Sequence, residues 1–290
     1  MKKSALICIV AASIGWGTSG IFVDCLSPLG FTSLHMTFLR SLAMLVSMLL
    51  YVLICDRGLF KISFPHLLLT LGSGLAFFGT ASCYFYSMVK SSVSTAVVLM
   101  YTAPIFVMIY SVLFLGEKLT KAKTFCVVFM LLGCCLVSGI IGGFRFDAVG
   151  IVFGLLSGLC YSAYNILTKI QMKKGINPIT ANLYGFLFAS AIGALTANVG
   201  QIPVCIAENI RYTIPLAILL GLCTSVMPYL CYSCALKTIP AGTASSLAIL
   251  EPMSATLLSV AFLGEGLLPL PAVGITLILS SVFVLSRQSE

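Results

Sequence analysis

The chain has 290 residues, 60% of them hydrophobic and only 8% charged, and its formal net charge is +8. Soluble domains carry about 25% charged residues, so this composition excludes a water-soluble globular protein and predicts one that lies in a lipid bilayer. The basic residues fall between apolar runs and form no basic face with interleaved aromatic residues. We therefore expect no nucleic-acid partner.

Apolar segments follow one another from end to end and predict an all-α integral membrane protein with ten transmembrane helices. A hydrocarbon core about 30 Å thick takes roughly 20 helical residues, and ten such helices with short loops account for the whole length. The first run continues past Trp16 without a cleavage site, so we expect an uncleaved helix rather than a signal peptide. The predicted spans are 5–24, 32–55, 66–89, 91–115, 124–141, 150–169, 179–199, 213–236, 241–263 and 269–286.

The basic residues predict that both termini are cytoplasmic. With the N-terminus inside, twelve Lys and Arg residues fall on the inner side and three on the outer side, which is a strong bias for loops this short. The inner set is Lys2, Lys3, Arg57, Lys61, Lys118, Lys121, Lys123, Lys169, Lys173, Lys174, Lys237 and Arg287, and the outer set is Lys90, Arg145 and Arg211.

The two halves of the chain resemble each other at a constant offset of 148 residues. Pro104 and Glu117 in the first half match Pro252 and Glu265 in the second, within runs of similar apolar sequence. Five spans per half is an odd number, so the second half is expected to sit upside down relative to the first. Inverted repeats with a site near the membrane midplane are a common build of secondary transporters.

The same residues carry a family resemblance that covers nearly the whole chain. The chain resembles the EamA family of the drug/metabolite transporter superfamily, as two EamA units over 4–141 and 150–286. The resemblance implies a ten-helix secondary carrier of bacterial inner membranes that exports amino acids, related metabolites or drugs. It rests on Trp16-Gly17, Arg40, the Pro104 helix followed by Gly116-Glu117-Lys118-Leu119, Glu251-Pro252, and Gly264-Glu265-Gly266-Leu267.

Polar residues at helical spacing inside apolar spans mark faces that are turned away from lipid. Such faces occur in the second, third, fourth, sixth and eighth spans, whereas the fifth and tenth spans lack them and are expected to be peripheral. Packing between helices and anchoring at the membrane interface remain alternatives for the tyrosines. The candidate substrate-binding or cavity residues are Trp16, Arg40, Tyr84, Tyr101, Tyr161, Tyr164, Tyr229 and Glu251.

Arg40 and Glu251 are the ionisable residues that we expect deep in the membrane, where a charge costs at least about 2.5–3.5 kcal/mol. Arg40 either clamps a substrate carboxylate or holds helices together through a salt bridge or backbone carbonyls. Glu251 either carries a proton, binds a substrate ammonium group, or stabilises the bend that Pro252 introduces. Together the two charges suit a zwitterion such as an amino acid.

Three functions therefore compete. The leading prediction is a secondary exporter of an amino acid or related metabolite that works by alternating access, without a cofactor, as a monomer or homodimer. The alternative is proton-coupled efflux of apolar cations, held by tyrosine rings through cation–π contacts. An enzyme is disfavoured, because His35 and His66 lie in different spans and no catalytic or nucleotide-binding motif is present. Cys25 and Cys205 fall in predicted outer loops and could pair.

Overall fold

The computed structural model describes residues 3–91, 93–116, 118, 120–138, 147–207, 209–263 and 269–287. These residues form α-helices with short 3-10 and π segments, and none of them lies in a strand. Glu117 and Glu265, which match each other in the two halves of the sequence, lie outside the described residues. So do Lys2 and Arg145 of the orientation argument.

Ten main helices follow one another among the described residues. In chain order they are α1 (Lys3–Leu29), α2 (Ser33–Ile54), α3 (Phe64–Lys90), α4 (Thr95–Phe114), α5 (Lys121–Val137), α6 (Ala148–Lys173), α7 (Pro178–Thr196), α8 (Ile210–Leu236), α9 (Ala241–Phe262) and α10 (Pro269–Arg287).

Eight of these helices are long and apolar enough to cross a membrane. The two others are α5, which has 17 residues, and α10, whose apolar part, Pro269–Val284, is shorter than the apolar helices of the other eight. They lie where the sequence predicts the fifth and tenth spans. The fold is thus an all-helical, multi-pass membrane fold, and the ten-span topology and its orientation stay predictions.

The surface of the bundle is apolar, as a protein that is dissolved in lipid requires. Large side chains such as Ile54, Phe114 and Leu195 are 79%, 68% and 87% exposed. In water each would cost about 25 cal/mol per Å² of exposed apolar surface, whereas lipid tails are as apolar as the side chains themselves.

Helix starts are fixed by capping side chains. The Thr32 hydroxyl accepts a hydrogen bond from the backbone N–H of His35, and the His35 side chain accepts one from the backbone N–H of Thr32. Asp147 accepts from Gly150 at the start of α6, at 2.7 Å. Because such caps satisfy backbone donors that have no helical partner, His35 has a structural role here.

Prolines interrupt three of the helices. Pro104 follows the break between Met100 and Ala103 in α4, and Pro252 lies just after the break at Ile249 in α9. Pro228 follows a π-helical turn in α8. Since proline has no backbone N–H, each leaves a carbonyl one turn earlier without its usual donor.

Helices α1 to α5, shifted by 148 residues, fall on α6 to α10 within a few residues at each start. The most extensive packing joins α3 to α6 and α1 to α8, and pairs α2 with α7 and α5 with α10. The α5–α10 contact depends on glycine, because a Cβ on Gly133 would lie 2.8 Å from the carbonyl oxygen of Gly274. Small residues of this kind let membrane helices approach closely.

Two expectations about single side chains need comment. Lys169, which we counted among the basic residues of the inner side, is a buried residue of α6 with 7% exposure. Lys169 is thus a charged residue inside the bundle besides Arg40 and Glu251, although it lies near the end of its predicted span. Cys25 and Cys205 are both free thiols, so the structure shows no disulfide between them.

Candidate functional site

A cavity of about 440 Å³ lies among α1, α2, α3, α4, α6, α8 and α9. It reaches the end of the bundle where α1 stops and α2 starts, which we call the open end; the opposite end, at Lys61 and Lys173, is the closed end. Its wall consists of Trp16, Ser19, Gly20, Val23, Asp24, Ser33, Met36, Thr37, Arg40, Phe77, Thr80, Ala81, Tyr84, Phe85, Met88, Met100, Tyr161, Tyr164, Leu220, Tyr229 and Glu251.

The predicted site residues meet in this cavity. Seven of the eight line its wall, and Tyr101 is the exception. Tyr101 is 1% exposed and lies behind the wall, where its hydroxyl interacts electrostatically with the Glu251 carboxyl group. Residues of α5 and α10 do not appear in the wall.

Aromatic rings form the floor of the cavity. The Tyr229 ring lies 5.2 Å from the Trp16 ring, 5.4 Å from Phe77, 5.6 Å from Tyr164 and 5.1 Å from Phe186, measured between ring centroids. Most of these contacts are edge-to-face, which is a favoured geometry worth about 0.5–1.5 kcal/mol per pair. The rings separate the cavity from the closed end.

Arg40 is held by a carbonyl that a proline has freed. The Nη2 atom of Arg40 donates a hydrogen bond of 2.9 Å to the carbonyl oxygen of Thr224. In a regular helix the residue four positions later would donate to that oxygen, but this residue is Pro228. Arg40 thus supplies the donor that α8 lacks, which is one of the two roles considered for it above.

The same arginine keeps a second donor unused. Its Nε atom is buried and has no hydrogen-bond partner, and the same is true of the indole Nε1 atom of Trp16. Both side chains belong to the cavity wall. Because buried polar groups in native proteins are nearly always paired, these two donors make this wall a candidate place for an acceptor.

Glu251 supplies the negative charge of the site. It is partly buried at the point where α9 breaks, and its carboxyl group interacts electrostatically with Arg40, Tyr84 and Tyr161. No direct ion pair joins it to Arg40 in the structure. Both charges thus remain available to a third group in the cavity.

Several wall residues were not among the site residues predicted from the sequence. Phe77, Met36 and Met88 are apolar residues in apolar spans, and no sequence pattern distinguishes a cavity-facing one from a lipid-facing one. Asp24 could have been found, because it is an exposed carboxylate at the end of the first span. Within the described ranges no group of three His, Cys, Asp or Glu side chains could hold a metal ion.

The closed end is fastened by a buried lysine. The Nζ atom of Lys169 donates to the carbonyl oxygens of Leu236 and Ile239, at 2.7 and 2.6 Å. These carbonyls lie at the C-terminal end of α8, where a helix attracts cations. The contact ties α6 to the turn that connects α8 and α9.

Comparison with known proteins gives a consistent picture. An uncharacterized transporter of Archaeoglobus fulgidus is 28% identical over 97% of this chain and 95% of its own length. The uncharacterized transporter YwfM of Bacillus subtilis is 28% identical over 96% of this chain and 92% of its own. A solved chain described as a crystal structure of protein shares the fold, with a TM-score of 0.81, 18% identity and full coverage of both chains.

The family assignment follows from two separate matches along the chain. The EamA-like transporter family model matches residues 3–139 and again residues 148–287, which together are nearly the whole sequence. These matches fall on the two sets of five helices described above. With its apolar multi-pass fold and its central cavity, this chain is a membrane transporter and belongs to the EamA-like transporter family.

Proposed function

We propose that this transporter exports a small zwitterionic metabolite, most simply an amino acid, through alternating access at the central cavity. The observation that carries the proposal is that two residues of the cavity wall, Arg40 and Trp16, each keep an unpaired buried donor, and that the same wall bears Glu251. The proposal includes the inner, or plasma, membrane of the cell as its location, ten spans, and cytoplasmic termini.

The substrate carboxylate binds at the arginine side of the cavity. A guanidinium group presents several N–H donors in a fixed fork that matches a carboxylate, and Arg40 Nη2 already occupies Thr224. The unpaired Nε–H of Arg40 and the unpaired indole N–H of Trp16, which lines the same cavity, can both donate to the carboxylate oxygens. Charge-assisted hydrogen bonds of this kind are roughly twice as strong as neutral ones.

The ammonium group binds on the acidic side. Glu251 offers a carboxylate within the cavity, and the tyrosine rings of Tyr84 and Tyr161 lie close enough to interact with it. Aromatic faces attract cations by about 0.5–2 kcal/mol. The cavity volume of about 440 Å³ lies within the usual range for small-molecule sites, which is about 300–1,000 Å³.

The architecture supports exchange between two end states. Helices of the two halves coincide at an offset of 148 residues, and an inverted repeat built this way can close at one end and open at the other around a central site. In this structure the cavity reaches the end that the basic residues predict to be outside. The conformer therefore corresponds to an outward-open state in the proposed cycle.

The test is uptake of a panel of labelled amino acids into proteoliposomes that contain the purified protein. We expect saturable uptake of one class, reduced about a hundredfold or more in Arg40→Ala because the charged clamp is lost. Arg211→Ala is the matched control, since Arg211 is exposed and outside the cavity; it should transport normally. Amino-acid uptake that survives in Arg40→Ala would rule out the carboxylate clamp.

A second candidate, proton-coupled efflux of apolar cations, is favoured by one observation. The cavity wall carries two carboxylates, Asp24 and Glu251, against one arginine. A carboxylate that binds a proton in one state and a cation in the other would couple the two fluxes. Uptake of a labelled lipophilic cation that requires a pH gradient and is lost in Glu251→Gln would select this function, whereas amino-acid exchange without a gradient would eliminate it.

A further inference from the structure

A second, much smaller cavity lies below the aromatic floor, towards the closed end. It holds about 10 Å³, which is room for a single water molecule,. It sits among α3, α6, α7 and α8, and all of its lining residues are uncharged. They are Ser73, Gly74, Phe77, Tyr164, Thr168, Gln171, Ala181, Asn182, Gly185, Phe186 and Ser233, and we call this cavity the polar chamber.

One layer of side chains separates the polar chamber from the main cavity. Phe77 and Tyr164 line both cavities. The Phe77 ring is held between Phe186, at 4.8 Å, and Tyr229, at 5.4 Å. It carries no polar atom, so rotation of this side chain would break no hydrogen bond and would connect the two cavities.

The walls of the polar chamber carry a hydrogen-bonding network inside the bundle. The Nε2 atom of Gln171 donates to the carbonyl oxygen of Leu69 at 2.9 Å and to Ser73 Oγ at 3.1 Å. The Nδ2 atom of Asn182 donates to Ser233 Oγ at 3.2 Å. Polar side chains in a membrane bundle either join helices or line a route for polar solutes.

Two features favour a route over simple helix joining. The two amide side chains both line a void, whereas a joining contact needs no void. The chamber is also aligned with the main cavity, since Phe77 and Tyr164 belong to both. Beyond it lie the ends of α6 and α8, on the side that the basic residues predict to be cytoplasmic.

We infer that the polar chamber is an inner substrate site on the transport route, closed in this conformer by the Phe77 ring. It binds the amino and carboxylate groups of a small zwitterion through neutral amide and hydroxyl groups, before the exported solute reaches Arg40 and Glu251. The long side chains of Gln171 and Asn182 swing aside to enlarge the chamber. The inference rests on the proposed transport of such a solute.

The first test does not depend on the substrate. Ser73→Cys places a thiol in the chamber, and its reaction with N-ethylmaleimide is read by peptide mass spectrometry, so that the native cysteines can remain. We expect no labelling in that variant alone and at least about tenfold faster labelling when Phe77→Ala is added. Phe85→Ala is the control, because Phe85 lines only the main cavity; it should leave the thiol protected.

The second test asks whether the chamber must be empty for transport. Gly185→Ala adds one methyl group at the chamber wall, 3.3 Å from Ser73 Oγ. We expect substrate affinity in the main cavity within about twofold of wild type and a turnover lowered about fivefold or more. Gly193→Ala in the same helix points at Phe38 instead and should not lower turnover.

The outcomes separate the two proposals. Absence of amino-acid uptake by the wild-type protein contradicts the proposed function, while the labelling result still reports on the chamber. Unchanged labelling after Phe77→Ala, or a normal turnover in Gly185→Ala with a raised melting temperature, would show that the chamber is a packing void. Either of these results overturns the inference whatever the substrate is.

Discussion

Tyr232 at the closed end and Tyr84 at the open end stand 148 residues apart, in corresponding helices α8 and α3. Tyr232 is fully buried, its ring lies 5.4 Å from the Trp16 ring, and its hydroxyl donates to the side-chain oxygen of Asn165. Tyr84 lines the cavity, and its ring contacts that of the adjacent Phe85. The repeat thus provides a tyrosine at both ends, and the ends differ in how that tyrosine is packed.

Other positions that correspond between α3 and α8 hold different residues. Phe77 on the cavity floor corresponds to Ser225, and Pro228, just after the π-helical turn of α8, corresponds to Thr80. Helix α3 runs without interruption from Phe64 to Lys90, whereas α8 contains a π-helical turn. The repeat therefore accounts for the arrangement of the helices. The differences in sequence give the floor phenylalanine to α3 only, and the proline with its π-helical turn to α8 only.

The largest effect that this comparison predicts is on stability. Tyr232→Ala leaves a cavity among packed rings and an unpaired Asn165 oxygen, and buried aromatic residues cost about 3–5 kcal/mol when they are cut back to alanine. Tyr84→Ala, the matched variant, removes a ring that already faces a cavity and should cost about 1 kcal/mol or less. Thermal unfolding of both variants in the same detergent measures the difference.

The opposite ranking, or equal losses, would contradict the view that the two ends differ in packing. Transport measurements on these tyrosine variants test the same comparison. If Tyr84 becomes packed when the open end closes, Tyr84→Ala should slow turnover while it leaves the melting temperature nearly unchanged. Such a variant would separate the role of the ring in the cycle from its role in the resting fold.

A smaller effect is expected from the lysine that fastens the closed end. Lys169→Met keeps the length of the side chain but leaves the carbonyl oxygens of Leu236 and Ile239 without this donor. An unsatisfied buried carbonyl costs about 1–3 kcal/mol, so the melting temperature should fall clearly. Lys173→Met is the control, since Lys173 is exposed and its single bond, to Leu115, is 3.2 Å long.

Equal melting temperatures for the two lysine variants would mean that the buried ammonium group contributes no more than a surface charge. Loss of stability in Lys169→Met alone would instead show that the contact between α6 and the α8–α9 turn stabilises this conformer. At the open end, Lys90 at the end of α3 is exposed, and its Nζ atom lies 5.9 Å from the centre of the Tyr86 ring.

Much of this arrangement could be read from the sequence, and the remainder could not for physical reasons. Polar groups at helical spacing, including tyrosine hydroxyls, point to wall residues such as Tyr84 and Tyr161, because polar groups are rare where helices face lipid. Phe77 carried no signal, since a phenylalanine suits lipid, core and cavity alike. Lys169 near the end of a span looked like a topology signal, because only the folded chain brings the α8 carbonyls to it.

The bond between Arg40 and Thr224 marks the limit of sequence reasoning most clearly. A proline at position 228 lacks an N–H, so the sequence carried a signal, which our sequence analysis did not use, that the carbonyl of Thr224 needs another donor. It did not show which helix would lie across α8 at that level. That depends on how α2 packs on α8, which is a tertiary contact between residues 184 positions apart.

The smallest predicted effect on stability, and the most specific on mechanism, is that of Pro228→Ala. The alanine N–H can donate to the Thr224 carbonyl oxygen, so this oxygen no longer depends on Arg40 as its donor. Helix α8 should then be stiffer at this position. We expect an unchanged or slightly higher melting temperature and about fivefold slower transport. Pro215→Ala in the same helix lies away from this bond and should transport normally. Normal transport in Pro228→Ala would show that α8 does not bend there, and a matching loss in Pro215→Ala would trace the effect to the helix as a whole.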